Sequence, residues 1–366
     1  MANLAIVRSV AAEFSLVPEV VIIGMRDRGA AYVAEQDAST FEVDTRSLLS
    51  PTGCWRVIGA QDCLLDIGAG DSFADIYGFK RFAFLWITKA MAILRGKPLV
   101  LSPQTIGPFA RAPYVQLARF ALTRARTVVA RDDASFAFLR EIAPSANGVL
   151  SVDVAFALPF EDRSAERNRP GRVRVGVNVS GLLFNEALSG RNRFGLDADY
   201  GQLMRLFIAE LVGREDVEVH LITHAIGHGP DDDGEVADRL AEEFPAVIRV
   251  PDFATPSAAK SYISGLDFLV AGRMHACIAA VSARTAVVPI AYSRKFSGLF
   301  GMLNYNWILP EKGMSTQEAL AFLLSCLSRR TDLAEDAVRA MSKVDALLEV
   351  YRNELRALFR SLGARA

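Results

Sequence analysis

The tetrad Gly272-Arg273-Met274-His275 follows the apolar run 266–271 and precedes the small-residue stretch 276–283. A buried strand that ends in Gly and opens a helix presents whatever its turn carries, here a guanidinium and an imidazole two positions apart. Backbone N–H groups and the helix dipole make such a turn a natural anion site. Arg273 adds a planar fork that matches phosphate or carboxylate oxygens. His275 can clamp an anion or deliver a proton. A turn histidine satisfied by backbone is the plainer alternative.

Other groups fall at comparable places. The run 286–291 leads into Tyr292-Ser293-Arg294-Lys295, so Arg294 and Lys295, the latter preferred, are expected beside the Arg-His turn on the same sheet edge. Together these cations suit a small polyanion; a solvated charge pair is the alternative. Asp66, Asp71, Ser72 and Asp75 surround a Gly-rich turn. They can accept hydrogen bonds from hydroxyls, and Asp71 can act as general base, while the same residues also suit helix capping. Gln104 and Thr105 follow the strand 99–102 as polar groups at a sheet edge. Arg131, at the end of the strand 127–130, can bind ligand or pair with Asp132 or Asp133. Asn178 and Ser180 follow the strand 173–179 in a short polar loop. His224 and His228 flank a Gly-rich loop that runs into Asp231-Asp232-Asp233. Its residue types are metal ligands, but the spacing matches no closed site, so it reads as a polar surface loop and no metal is expected.

These groups need a scaffold that brings loop residues far apart in sequence to one edge. Short apolar runs at 20–23, 64–68, 99–102 and 127–130 alternate with helical spacing at about 73–94, 114–123 and 132–142. That alternation implies a parallel sheet covered on both faces, with ligands at the carboxyl ends of its strands. The charged, Pro-broken stretch 160–171 marks a boundary. The alternation then restarts, with strands at 173–179, 217–223, 248–250, 267–271 and 286–291, and ends in helices over 319–327 and 333–359. The expected fold is α/β: two doubly wound, Rossmann-like domains, 1–165 and 172–312, facing across a cleft, with a C-terminal helical segment, 313–366.

Composition agrees with a globular chain. Of 366 residues 51% are hydrophobic and 23% charged, and the net charge is −1. Such a balance offers no global field for nucleic acid. There is no run long enough to span a bilayer, and 1–20 lacks a signal-peptide pattern. Cys54, Cys63, Cys277 and Cys326 lack metal-type spacing and read as buried thiols. A cytoplasmic protein is expected, with membrane association at most peripheral.

Taken in order, Asp66-Ile67-Gly68-Ala69-Gly70-Asp71-Ser72-Phe73-Ala74-Asp75, Ser102-Pro103-Gln104-Thr105-Ile106-Gly107-Pro108, Arg131-Asp132, Asp153-Val154-Ala155-Phe156 and Gly272-Arg273-Met274-His275 resemble the polysaccharide pyruvyl transferase family. The resemblance implies a GT-B-like fold. It also implies transfer of the enolpyruvyl carbons of phosphoenolpyruvate onto two hydroxyls of a sugar, leaving a pyruvate ketal and phosphate, in exopolysaccharide or cell-surface glycan biosynthesis. Phosphoenolpyruvate would be the donor substrate, with no separate cofactor, and a sugar or lipid-linked oligosaccharide the acceptor. Arg273, His275 and Lys295 would hold the donor, and Asp71 and its neighbours the acceptor. Members of the family usually begin with a strand and a Gly-Asn-x-Gly-Asp loop; neither is found here, where 1–14 reads as a helix. The alternatives are a GT-B glycosyltransferase using a nucleotide sugar, which needs a carboxylate near the ribose that 276–283 does not offer, and a catalytically inactive glycan-binding relative.

Overall fold

The computed structural model describes residues 1–25, 38–68, 72–76, 78–168, 171–227, 229 and 231–364, with the side chains of Leu49 and Arg294 set aside. Asp71, His228 and the Arg294 side chain therefore lie outside the described residues. The chain forms two compact units, Met1–Leu158 with Asp345–Ala366, and Pro159–Val344.

The first unit opens with the helix Ala2–Ala12. Strands β1 (Val21–Met25) and β2 (Ser39–Val43) pair in parallel. A second parallel sheet contains β3 (Leu64–Asp66), β4 (Ser72–Phe73), β5 (Leu99–Ile106), β6 (Thr127–Ala130) and β7 (Gly148–Leu150). Its order is β3-β5-β6-β7, with β4 added to the end of β5. Parallel neighbours require crossovers, supplied by the helices Phe79–Leu94, Ala112–Arg124 and Asp133–Ile142. Asp132 starts the last of these by accepting from Ser135 N. One sequence expectation changes here: β5 does not close at Pro103 but runs on to Ile106. The proline is accommodated because the register against β6 slips between Leu101 and Gln104, where no ladder hydrogen bond is asked of it. Phe73, Phe82, Leu101 and Val128 fill the core.

The second unit holds one five-stranded sheet of β8 (Val173–Asn178), β9 (Val217–Leu221), β10 (Ile248–Arg249), β11 (Phe268–Ala271) and β12 (Ala286–Pro289), all parallel, in the order β10-β9-β8-β11-β12. β8 and β11 are adjacent, yet the chain leaves β8 in one direction and β11 in the other. That reversal opens a crevice beyond their carboxyl ends. Asp199 caps the helix Tyr200–Val212, Asp232 the helix Asp233–Glu243 and Thr255 the helix Pro256–Ser264. The helix Gly181–Leu188 replaces the polar loop expected after β8. Gly181 has to be glycine, because a Cβ would come 2.1 Å from the backbone oxygen of Asp232.

The helix Arg330–Gly363 contributes Leu333 to the core of the second unit. Its residues from 345 onward belong to the first. There Tyr351 Oη donates to Asn3 Oδ1 at 2.8 Å and shares a hydrogen bond with Ser102 Oγ at 2.8 Å. Among the described residues no helix is long and apolar enough to cross a membrane.

Candidate functional site

At the carboxyl edge of the second unit a buried carboxylate organises the loops. Asp233 has no solvent exposure. Its Oδ1 accepts from Gly181 N at 2.9 Å and from Arg273 Nε and Nη2 at 3.0 and 2.8 Å. Its Oδ2 accepts from Asn178 Nδ2 at 3.2 Å, His224 N at 3.1 Å and Ala225 N at 3.0 Å. The sequence expectation of a polar surface loop at 231–233 is therefore wrong for Asp233: it is buried because it answers the guanidinium of Arg273 and the first amide of the helix Gly181–Leu188. Arg273 Nη2 also donates to Asp231 O, and Arg273 N to Asn178 Oδ1 at 3.1 Å.

This pairing alters the expectation for Arg273. Three of its five side-chain donors are used within the protein, and Asp233 neutralises its charge at close range. It acts first as the tie between β11 and the loops after β8 and β9. Asp233 Oδ1 also takes the first amide of the helix Gly181–Leu188, that of Gly181. At the start of the helix Met274–Ser282 the N-cap is Arg273 and no side chain caps it. The first-turn amides have no intrahelical partner, and His275 stands exposed among them.

His224 lies behind His275, with ring centroids 6.4 Å apart and planes 21° from parallel. Burial, reinforced by the neighbouring His275 and Arg273, pushes the pKa of His224 down to about 4, so the ring is neutral at pH 7. Its Nδ1 is buried without a partner, as is Ser180 Oγ. Ser180 N donates to Tyr200 Oη at 2.9 Å. A Cβ on Gly272 would come within 2.7 Å of that phenol oxygen, so glycine here lets β11 approach β8. Two buried polar atoms without a protein partner thus lie at one sheet edge, where an unmet buried group costs about 1–3 kcal/mol. Lys295 is exposed on the first turn of the helix Arg294–Met302, after β12.

The structure thus gathers Arg273, His275, Asn178, Ser180 and His224 at one edge, with Lys295 on the neighbouring strand exit. Sequence reasoning missed Asp233 and Tyr200. The triplet Asp231-Asp232-Asp233 was the signal for the former; nothing in the spacing pointed to Tyr200.

The first unit has its own edge. Asp66 Oδ2 pairs with Lys89 Nζ at 2.8 Å, and Lys89 is fully buried. Burial outweighs this pairing and lowers the Lys89 pKa. Asp66 Oδ1 accepts from Gly68 N at 2.8 Å. Gln104 Nε2 donates to Asp66 O at 2.8 Å and Ser102 O at 3.2 Å, which fixes the amide and leaves Oε1 buried without a partner. Gly68 has φ +60°, and a Cβ there would meet Gln104 Oε1 at 2.3 Å. Thr105 Oγ1 is likewise buried and unpartnered, and Thr105 is paired in register with the buried Ser72.

Two expectations for this edge change. Arg131 pairs with neither Asp132 nor Asp133 but with Asp153, Nη1 to Oδ2 at 2.9 Å, because Asp132 is held by its own helix. Asp75 is a loop tie: its Oδ2 accepts from Ala110 N at 2.8 Å. Among the described residues no group of three His, Cys, Asp or Glu is arranged to hold a metal ion.

The family model of polysaccharide pyruvyl transferases matches residues 9–294. Among solved structures, the chain is similar to Anabaena HepE in complex with UDP and glucose, at 12% identity over 99% of this chain and 95% of that one, with a TM-score of 0.57. It is similar to the glycosyltransferase SnogD from Streptomyces nogalater at 14% identity, over 100% and 96% of the two chains, with a TM-score of 0.54. The sucrose-phosphate synthase of Thermosynechococcus elongatus matches at 12% identity over 98% and 93%, with a TM-score of 0.54. At such identities the likeness is one of fold, that of the GT-B glycosyltransferases.

Proposed function

The chain belongs to the polysaccharide pyruvyl transferase family, and on that premise we propose that it transfers the enolpyruvyl carbons of phosphoenolpyruvate onto two hydroxyls of a sugar, forming a pyruvate ketal in cell-surface or exopolysaccharide biosynthesis. One observation carries the reading: an exposed imidazole stands on an uncapped helix start, backed by a neutral imidazole and an unpartnered serine hydroxyl. That arrangement suits a phosphate ester that must also receive a proton.

The reaction needs a proton on the methylene carbon so that C2 becomes electrophilic. Two sugar oxygens then bond to C2, the C2–O bond to phosphate breaks, and both hydroxyl protons are released. One of these balances the proton gained by the methyl group and the other leaves with phosphate. On this reading His275 supplies the proton while the amides of its turn and Lys295 hold anionic oxygens. Asp71, by its place in the sequence motif, takes a hydroxyl proton. At the edge of the first unit Gln104 Oε1 and Thr105 Oγ1 accept or exchange hydrogen bonds with acceptor hydroxyls. Phosphoenolpyruvate and a sugar or lipid-linked oligosaccharide are the substrates, with no further cofactor, and the reaction is placed in the cytoplasm, in keeping with four unbonded cysteines.

The test is acceptor-dependent phosphate release from phosphoenolpyruvate. His275→Ala should lower the rate by roughly 10²–10⁴ without changing the melting temperature, because the side chain is exposed. Absence of release by the wild type across a broad glycan panel overturns the reading. A nucleotide-sugar donor is the second reading, favoured by the UDP and glucose in the similar Anabaena structure. Against it, Ala276 to Val281 after the turn offers no carboxylate for a ribose. Since a ligand stabilises the state it binds, thermal shifts with phosphoenolpyruvate and with UDP-sugars separate the two.

A further inference from the structure

From Ile76 to Arg131 the chain carries ten Lys and Arg and no Asp or Glu, within a protein of net charge −1. Two helices of this segment, Phe79–Leu94 and Ala112–Arg124, lie side by side. Trp86 Nε1 donates to Leu117 O at 2.7 Å, and the Phe82 and Tyr114 rings meet edge to face at 4.6 Å. Phe82, Leu85, Ala118 and Leu122 point into the core.

What the pair turns outward is unusual. Lys89, Arg126 and Arg131 are directed to protein partners: Asp66, Ala357 O and Asp153. Lys80, Arg95, Arg111, Arg119 and Arg124 are exposed, although Arg119 Nε donates to Ile142 O at 2.7 Å and the guanidinium groups of Arg95 and Arg124 lie over the Trp55 and Phe120 rings. Among these cations Phe79 and Leu94 are each 69% exposed, and Ile76 is 57% exposed. Fifteen residues apart, Phe79 and Leu94 project about 60° from each other around the helix axis, so they share a side. Of the flanking acids, Asp75 accepts from Ala110 N and Asp132 from Ser135 N, while Asp133 is exposed on the first turn of the helix Asp133–Ile142.

Each part of this surface asks for a different environment, a dense negative charge for the guanidinium and ammonium groups and an apolar phase for Phe79, Leu94 and Ile76. The headgroup and acyl boundary of an anionic bilayer supplies both at once. A nucleic acid or soluble polyanion would meet the charge and leave Leu94 and Ile76 in water. We propose that the face formed by Phe79–Leu94 and Ala112–Arg124 docks on an anionic membrane surface. The proposal does not depend on the reaction chemistry.

The test is co-sedimentation of the full chain with phosphatidylglycerol–phosphatidylcholine vesicles and with pure phosphatidylcholine vesicles, with heparin as soluble competitor. Binding should require phosphatidylglycerol and weaken with salt. Lys80→Glu should lower partitioning roughly fivefold or more, and a Phe79→Ser/Leu94→Ser double variant roughly tenfold or more, both with unchanged melting curves. The proposal is overturned if phosphatidylglycerol vesicles bring down no protein at low salt. It is equally overturned if Lys80→Glu abolishes binding while the double variant binds as the wild type does, an outcome that assigns the face to a soluble polyanion.

Discussion

At the edge of the Pro159–Val344 unit one buried carboxylate, Asp233, accepts from three separate stretches of chain, whereas in the other unit Asp66 and Asp153 each answer one cation, Lys89 and Arg131. The concentrated arrangement draws the exits of β8, β9 and β11 together and turns an imidazole outward. The distributed one ties neighbouring loops within the core and leaves a neutral amide oxygen and a hydroxyl unmet. On the proposed function the difference would follow the partners: positive and proton-bearing groups for an anion, neutral acceptors for a polyol.

Removing the two carboxylates should separate the arrangements most strongly. Asp233→Asn strands a guanidinium that cannot lose its proton, and should cost about 3–5 kcal/mol by urea unfolding at all accessible pH values. Asp66→Asn strands Lys89, which can deprotonate. The unfolded chain then holds that proton to a higher pH than the folded one, so the variant should regain stability as pH rises toward the ordinary lysine value. Equal losses for both variants at pH 7 and pH 9.5 would break the comparison.

A smaller effect belongs to His224. With a folded pKa of about 4 against roughly 6.5 unfolded, the unfolded state binds more protons between those values. Wild-type stability should therefore fall by about 2 kcal/mol from pH 7.5 to pH 5 through this group. His224→Asn should remove that part of the slope; an unchanged slope would show that the ring is solvated.

The smallest effects are the most specific. Ser180→Ala and Thr105→Val each delete a buried hydroxyl with no partner, so neither should destabilise the protein, and each should add up to about 1 kcal/mol. On the proposed reaction Ser180→Ala should raise KM for phosphoenolpyruvate and Thr105→Val KM for the acceptor. If both variants raised the same KM, the assignment of edges to substrates would fail.

Much of the strand framework could be read from sequence because parallel strands such as β6, β8 and β11 are continuous apolar runs bounded by turns. β2, β4 and β7 could not: Ser39–Val43 mixes polar and apolar residues, and β4 and β7 are two and three residues without a longer apolar run around them. β5 extended past its proline because a register slip, a tertiary event, absorbs it. The edge residues Arg273, His275, Asn178 and Ser180 were legible because they directly follow strands. Their partners were not. Asp233 lies 40 residues from Arg273 and Asp153 lies 22 from Arg131, and a charge's partner depends on which loops the sheet order brings together. Two motifs noted as separate, Arg131-Asp132 and Asp153-Val154, turn out to be halves of one ion pair.

The terminal helix has a consequence for synthesis. Tyr351, Glu354 and Arg356 complete the first unit through Ser102, Thr127 and Glu13, groups made more than two hundred residues earlier. A ribosome therefore delivers the whole Pro159–Val344 unit before the first unit has its last pieces. The part translated first is the part finished last, and the middle of the chain can fold while the beginning still waits.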